Sequence, residues 1–378
     1  MQLSSEDTLR LNVLLALDLH AVRIDESRMV VHALSGKGEA KVRLNPTCRD
    51  EQYLKLVRQT LSTRFLGSPG GYPVYLRRWT RMGQARSESL DKLLLLGEPE
   101  AIAAVVHATG LTDDIARRAW WANPTAANAR QMLERETVAG GSMGPELAEF
   151  LLEFLPFEEE PQDMIDSVRL ILQPGLTSEA QRDALWARCN RKNSYYVGFM
   201  AALPDALPEP ASPHAAASDI QAALAPLIAA GNPYAGQLVR VLGAAGQRYL
   251  TTAETVLRKP VNQDVVVALL DTVGDYFSGV RPDERRRREY SAIDAMASEF
   301  CKDESACPDN LREVIDQVPG QRERIRAMVA LSMLGEQLVA PIFGVTDSIG
   351  SVMRKKIEPV TGPILEQFAL LRSDKLDG

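Results

Sequence analysis

Two clusters in this 378-residue sequence hold side chains whose type and spacing can do chemistry. Cys301 and Cys307 bracket Lys-Asp-Glu-Ser-Ala and are the closest pair among four cysteines. Two such thiols can exchange disulfides or carry sulfur, provided that a helix N-terminus, a nearby cation or a Cys-x-x-Cys pairing lowers a pKa. Here Lys302 helps, Asp303 and Glu304 oppose, and on a continuous helix positions six apart fall on different faces. Unreactive thiols are the expectation. Sulfur transfer or redox exchange through Cys301 and Cys307 is the alternative.

The second cluster is Tyr75, Arg77, Arg78, Trp79, Arg81 and Arg86. Four arginines with no acid between them, interleaved with aromatic rings, can follow a phosphate backbone and stack bases. Arg77, Arg78 and Arg81 also have helix-neighbour spacing. The same face can pair with acidic protein surface, including Glu158, Glu159, Glu160, Asp163 and Asp166 of this chain, so RNA and an acidic partner both stand. The second basic run, Arg285–Arg288, is flanked by Asp283, Glu284 and Glu289 and reads as a helix surface with internal pairs.

Other chemistry finds no pattern. His20, His32, His107 and His214 are isolated, so no HExxH motif or serine triad can be written. Zinc needs four grouped ligands, and no Cys or His cluster supplies them. Gly67–Pro73 lacks the Gly-Lys-Ser/Thr ending of a phosphate loop, and its two prolines remove backbone donors. No catalytic residue, metal ligand or cofactor is therefore expected, and Trp120, Trp121 and Trp186 read as packing residues.

The elements that must position these groups are mostly helical. Residues 4–18 carry a helical apolar stripe opened by Ser4 or Ser5 and acids, which argues against a secretory signal. AVRID, RMVVHAL and EAKVRL are short and β-branched; the last two predict a hairpin. This small sheet needs a covering helix, from residues 4–18 or 50–62. From Ser87 to Leu203, helical segments alternate with breaks at Gly97, Gly110, Pro156 and Gly175. Pro204–Ser218, rich in proline and alanine, predicts an extended, mobile linker, and Ser218-x-x-Gln221 a capping box for the next helix. The expectation is a mainly α protein: a small α+β module at 1–86, an irregular α-solenoid-like helical array at 87–203, a linker at 204–218, and a C-terminal helical bundle at 219–378. Met328–Phe343 predicts a buried core helix, and PILEQFALLRS the last helix.

Charge is uneven. Residues 1–86 carry 14 Lys and Arg against 8 Asp and Glu, a net +6, whereas the rest carries 29 against 42, a net −13. The acidic total argues against a general nucleic-acid binder but leaves a basic N-terminal surface for an acidic partner. Few, scattered cysteines suit a reducing compartment, and no apolar run reaches spanning length.

The blocks RIDESRMVVHALSGKGEAKVRLNPTCRDEQYLKLVRQ, LGSPGGYPVYLRRWTRMGQARSESLDKLLLLGEPEAIAAVVHATGLTDDIARRAWW, MIDSVRLILQPG and RKNSYYVGF resemble the DsrS family of bacterial dissimilatory sulfur oxidation. The likeness covers the N-terminal half to two-thirds. It implies a cytoplasmic accessory or regulatory protein encoded with the dissimilatory sulfite reductase system, acting on proteins of sulfur oxidation, and offers no catalytic residues. A non-enzymatic accessory protein is thus the leading expectation, with a sulfur carrier or a purely structural helical interaction module as alternatives.

Overall fold

The structure is a computed structural model that describes residues 2–67, 90–209, 211–282, 288–302, 307–345 and 348–373. Among these residues the chain forms twenty α-helices and one three-stranded antiparallel sheet, so the fold is mainly α. It divides into two compact units.

The first unit holds residues 1–154 and 173–176. Helix α1 (Ser5–Leu14) starts where the Ser4 side chain accepts the Asp7 N–H. Strands β1 (Leu19–Asp25), β2 (Val30–Ser35) and β3 (Gly38–Arg43) follow in the order β1-β2-β3. The predicted hairpin is β2–β3, with Ser35 opposite Gly38 and Val30 opposite Arg43. Alternation turns Val22, Val31 and Ala33 to one face, where both candidate helices cover them. Leu11 and Leu14 of α1 and its C-cap Leu15 pack there with Tyr53, Leu54, Val57 and Leu61 of α2 (Asp50–Leu66). Each fully buried leucine contributes about 1.5–3 kcal/mol of transfer free energy. One acid sits in this core. Asp7 is fully buried, accepts the Tyr53 hydroxyl at 2.5 Å and the Asn45 N–H at 2.8 Å, and so ties α1 to the chain leaving the sheet.

The unit continues with α3 (Leu90–Leu93), α4 (Pro99–His107), α5 (Asp113–Ala122), α6 (Ala126–Leu133), α7 (Glu136–Ala139) and α8 (Met143–Phe154). Thr112 and Thr125 cap α5 and α6 through their hydroxyls. Gly97 turns the chain at φ +65°, and a Cβ there would lie 2.9 Å from Ile24 Cγ1, so only glycine fits beside β1. The Val22 N–H donates to Leu94 O at 2.8 Å, which covers part of the outer edge of β1.

The second unit holds residues 155–172 and 177–378. Its helices are α9 (Pro161–Ile171), α10 (Glu179–Trp186), α11 (Ser194–Ala202), α12 (Ala217–Ala229), α13 (Pro233–Leu242), α14 (Ala244–Arg258), α15 (Gln263–Tyr276), α16 (Tyr290–Lys302), α17 (Asp309–Gln317), α18 (Arg322–Ser332), α19 (Ala340–Phe343) and α20 (Gly350–Arg372). Helix α11 is apolar on all sides and needs neighbours all round. Helices α9, α14 and α15 supply them. At the α9–α11 crossing, a Cβ on Gly198 would sit 2.7 Å from Val168 Cβ and 2.8 Å from Ile165 O, so the close approach depends on that glycine.

Several local expectations are corrected here. Helix α12 begins at Ala217 with Ala216 at its N-cap, so Ser218 lies inside the helix and forms no capping box; the capping box is at Ser178 and Gln181, opening α10. The Met328–Phe343 run is not one helix: α18 stops at Ser332, and a 3-10 turn and α19 follow. The last helix starts thirteen residues before Pro363 and passes through Pro359 and Pro363. A buried stripe of Met353, Ile357, Val360, Ile364, Phe368 and Leu371 holds both sides of the prolines to one axis, which offsets their lost hydrogen bonds.

Residues 204–209 and 211–216 form no helix, in keeping with their composition, yet they are anchored. Arg240 grips Asp205 through Nε and Nη2 at 2.7 Å each, and Arg248 pairs with Glu209. His214 is buried and bonds Ser373 O through Nε2 at 2.9 Å, while its Nδ1 accepts the Ala216 N–H at 3.0 Å. The same Nε2 lies 2.9 Å from Arg324 Nη2. Beside it, fully buried Arg324 donates to Leu370 O at 3.3 Å and Ser373 O at 2.5 Å. A cation thus satisfies carbonyls at the α20 C-terminus, where helix ends are electronegative.

Candidate functional site

The outer face of the sheet gathers the charged residues of the N-terminal strands. Because Val22, Val31 and Ala33 face the core, register sends Arg23 and Asp25 of β1, His32 of β2, and Glu39, Lys41 and Arg43 of β3 to the opposite side. Arg23 lies over the Trp121 ring of α5 at 4.9 Å, donates to Trp121 O at 3.4 Å and pairs with Glu39 at 3.5 Å. His32 Nδ1 meets Glu39 Oε1 at 2.8 Å. That hydrogen bond, with the charges of His32 and Arg23, holds the Glu39 carboxyl below its ordinary range. Glu39, the one acid on β3, is therefore engaged on both sides.

The remaining cations face a concavity of about 600 Å³ lined by Ser27, Arg28, Val30, Lys41 and Arg43. Its rim is the β1–β2 turn. Asp25 accepts from Ser27 Oγ at 2.8 Å and from the Arg28 N–H at 3.0 Å, and these bonds lower its pKa. Met29 closes the turn at φ +52°, in the left-handed region. Arg28 reaches Asp25 at 3.8 Å. Lys41 and Arg43 are exposed and, among the described residues, make neither an ion pair nor a side-chain hydrogen bond. Two unpaired cations on one strand face, beside a third on the adjoining turn, make an anion-attracting surface.

Tyr75, Arg77, Arg78, Trp79, Arg81 and Arg86 lie outside the described residues, as do Arg285, Arg286 and Arg287 and all of the Gly67–Pro73 loop except Gly67. Gly67 is the left-handed C-cap of α2. The cations that the structure does place, Arg28, Lys41 and Arg43, were legible only in part. The alternation of EAKVR puts Lys41 and Arg43 on one face, but Glu39 is seen to be engaged elsewhere only once the register is known.

The thiols stand differently from a continuous-helix reading. The described part of α16 reaches Lys302, and Cys307 lies in a bend before Pro308, which disfavours helical geometry at Cys307. Cys301 is buried, and Cys307 is half-buried. Burial pushes the Cys301 thiol up to about 12, and the neighbouring Cys307 adds to the rise. Burial also raises Cys307. Both thiols contribute to lifting the buried Tyr234 hydroxyl to about 12, after desolvation. Neither thiol is activated as a thiolate.

Of the histidines, His107 Nδ1 lies 2.7 Å from Ala103 O, and His20 lies 4.0 Å from Asp18. Among the described residues no group of three or more His, Cys, Asp or Glu could hold a metal ion, and no helix is long and apolar enough to cross a membrane. Trp120 packs edge-on to Phe150 at 4.8 Å, and Trp186 edge-on to Tyr196 and Phe199. Compared with protein-family models, curated proteins and solved structures, the chain matches none.

Proposed function

We propose that this chain is a non-enzymatic, cytoplasmic accessory protein of the DsrS type, supporting production or assembly of the sulfur-oxidation machinery by binding another macromolecule. The observation that carries the binding role is the concavity where Lys41 and Arg43, unpaired among the described residues, stand beside Arg28. Exposed cations that make no ion pair among the described residues steer and orient an anionic partner. The assignment to sulfur oxidation rests on the resemblance of the sequence blocks. The carrier alternative, through Cys301 and Cys307, is disfavoured by thiols raised above their ordinary values.

The test is affinity capture of the tagged chain from sulfur-grown cells, with and without ribonuclease. Recovery of identified sulfur-oxidation proteins that survives nuclease is the expected result. Transcripts lost on nuclease treatment would shift the reading to RNA; charge reversal at Arg77, Arg78 and Arg81 would then abolish binding if that cluster is the contact. Recovery of neither would reject a stable accessory role.

A further inference from the structure

We propose that β3 is an open sheet edge that takes an acidic, extended segment of a partner protein as a fourth strand; this deepens the accessory reading and rests on it. The argument begins with the ladder. The Val22 N–H points away from β2, to Leu94 O. Ala33 stands opposite Val22, so its backbone groups point the other way, to Ala40 of β3. The residues that alternate with Ala40, namely Glu39, Lys41 and Arg43, then turn their N–H and C=O groups outward. Among the described residues, none of these groups has a backbone partner.

The same three residues are exposed and send their side chains to the outer face of the sheet. Glu39 is held by Arg23 and His32, which leaves Lys41 and Arg43 to set the charge of the edge. A lysine on an open edge repels apolar strands and deters self-association. Two unpaired cations go further: they select a strand with acids directly opposite them. Main-chain bonding along an edge is a form of recognition that a peptide can use. Single-stranded RNA needs rings to stack on, and the residues lining the concavity beside Lys41 and Arg43 include none. Trp121, packed over the β1 side of this face, already carries the Arg23 guanidinium. An acidic peptide fits both the backbone and the charge of this edge; RNA fits only the charge.

The experiment uses the purified full chain and two labelled probes, an acetylated and amidated (Asp-Val)4 peptide and an oligouridylate of similar charge. Binding is read by fluorescence anisotropy, and amide hydrogen exchange is followed at Glu39, Lys41 and Arg43. The peptide is expected to bind and to slow exchange at those amides. Lys41→Glu/Arg43→Glu should weaken it at least tenfold, whereas Lys37→Glu, at the hairpin tip, should change it little. Lys41→Gln and Lys41→Pro remove the same charge, but only proline removes the outward N–H while sparing the β2 ladder. Greater loss with proline therefore reports the main-chain bond. Circular dichroism and thermal midpoints establish that each variant is folded, and a variant that fails is replaced by Arg43→Gln against Arg43→Pro. Absent peptide binding, unchanged exchange at these amides, or oligouridylate binding alone overturns the proposal. If capture from cells nevertheless recovers sulfur-oxidation proteins, the accessory reading survives its loss.

Discussion

Asp7 and Tyr53 show how much a single polar pair can fix. The carboxylate is fully buried, one oxygen accepts from Tyr53 and Asn45, and the other has no partner among the described residues. Tyr53→Phe removes the shortest of these bonds and leaves a buried charge poorly satisfied. The expected loss is about 1.5–3 kcal/mol of unfolding free energy, the range for hydrogen bonds to charged groups, measured by urea denaturation. The Tyr53 hydroxyl is raised by burial first and by Asp7 second. Chemistry at Cys301 is tested at the same scale. With its pKa near 12 against an ordinary 9.0, alkylation of Cys301 in the native chain at pH 8 should run at least about a hundredfold slower than in denaturant. Equal rates would revive the sulfur-carrier alternative. The sequence did not reveal Asp7 as a core residue: an acid in the first turn of a helix usually complements the dipole at the surface, and its burial follows from the arrival of Tyr53, forty-six residues later.

Elements were legible where local chemistry dominates. The β2–β3 hairpin, α1 and α2 follow from alternation, β-branching and apolar spacing. They were illegible where tertiary packing overrides propensity. Pro359 and Pro363 mark a stop by any local rule, yet the buried stripe running from Met353 to Leu371 carries α20 through both. Pro204–Ser218 reads as a free linker because a lone histidine carries no sign that Arg324 and the end of α20 will surround it. The α9–α11 crossing gives the prediction at this scale. Gly198→Ala places a methyl group 2.7 Å from Val168 Cβ, and overpacking of this kind costs about 1–3 kcal/mol. Thermal unfolding should show a lower midpoint. An unchanged midpoint would mean that the helices separate freely at this crossing.

At the scale of the whole molecule, buried hydroxyls and thiols set the alkaline limit. Cys301 and Tyr234 each reach about 12 in the folded chain, from ordinary values of 9.0 and 10.0, chiefly through burial. A raised pKa means that the folded state holds its proton more tightly. This stabilisation is therefore fully present below pH 9 and is lost as pH rises through 9 toward 12, where the unfolded chain ionises first. The urea midpoint should hold between pH 7 and 8.5 and fall by pH 11. Charge is the other property of the whole: a net +6 over residues 1–86 against −13 over the rest was visible in the sequence. Which cations are left unpaired was not, because that depends on Glu39 meeting Arg23 and His32 across the sheet.

On the proposed function, the basic face of the sheet binds a macromolecule of the sulfur-oxidation system. The most direct test of this is quantitative capture from sulfur-grown cells with the native chain and the folded Lys41→Glu/Arg43→Glu variant, both treated with ribonuclease. Identified sulfur-oxidation proteins should co-purify with the native chain and fall at least tenfold with the variant. Equal recovery with both would contradict the assignment of function to this face.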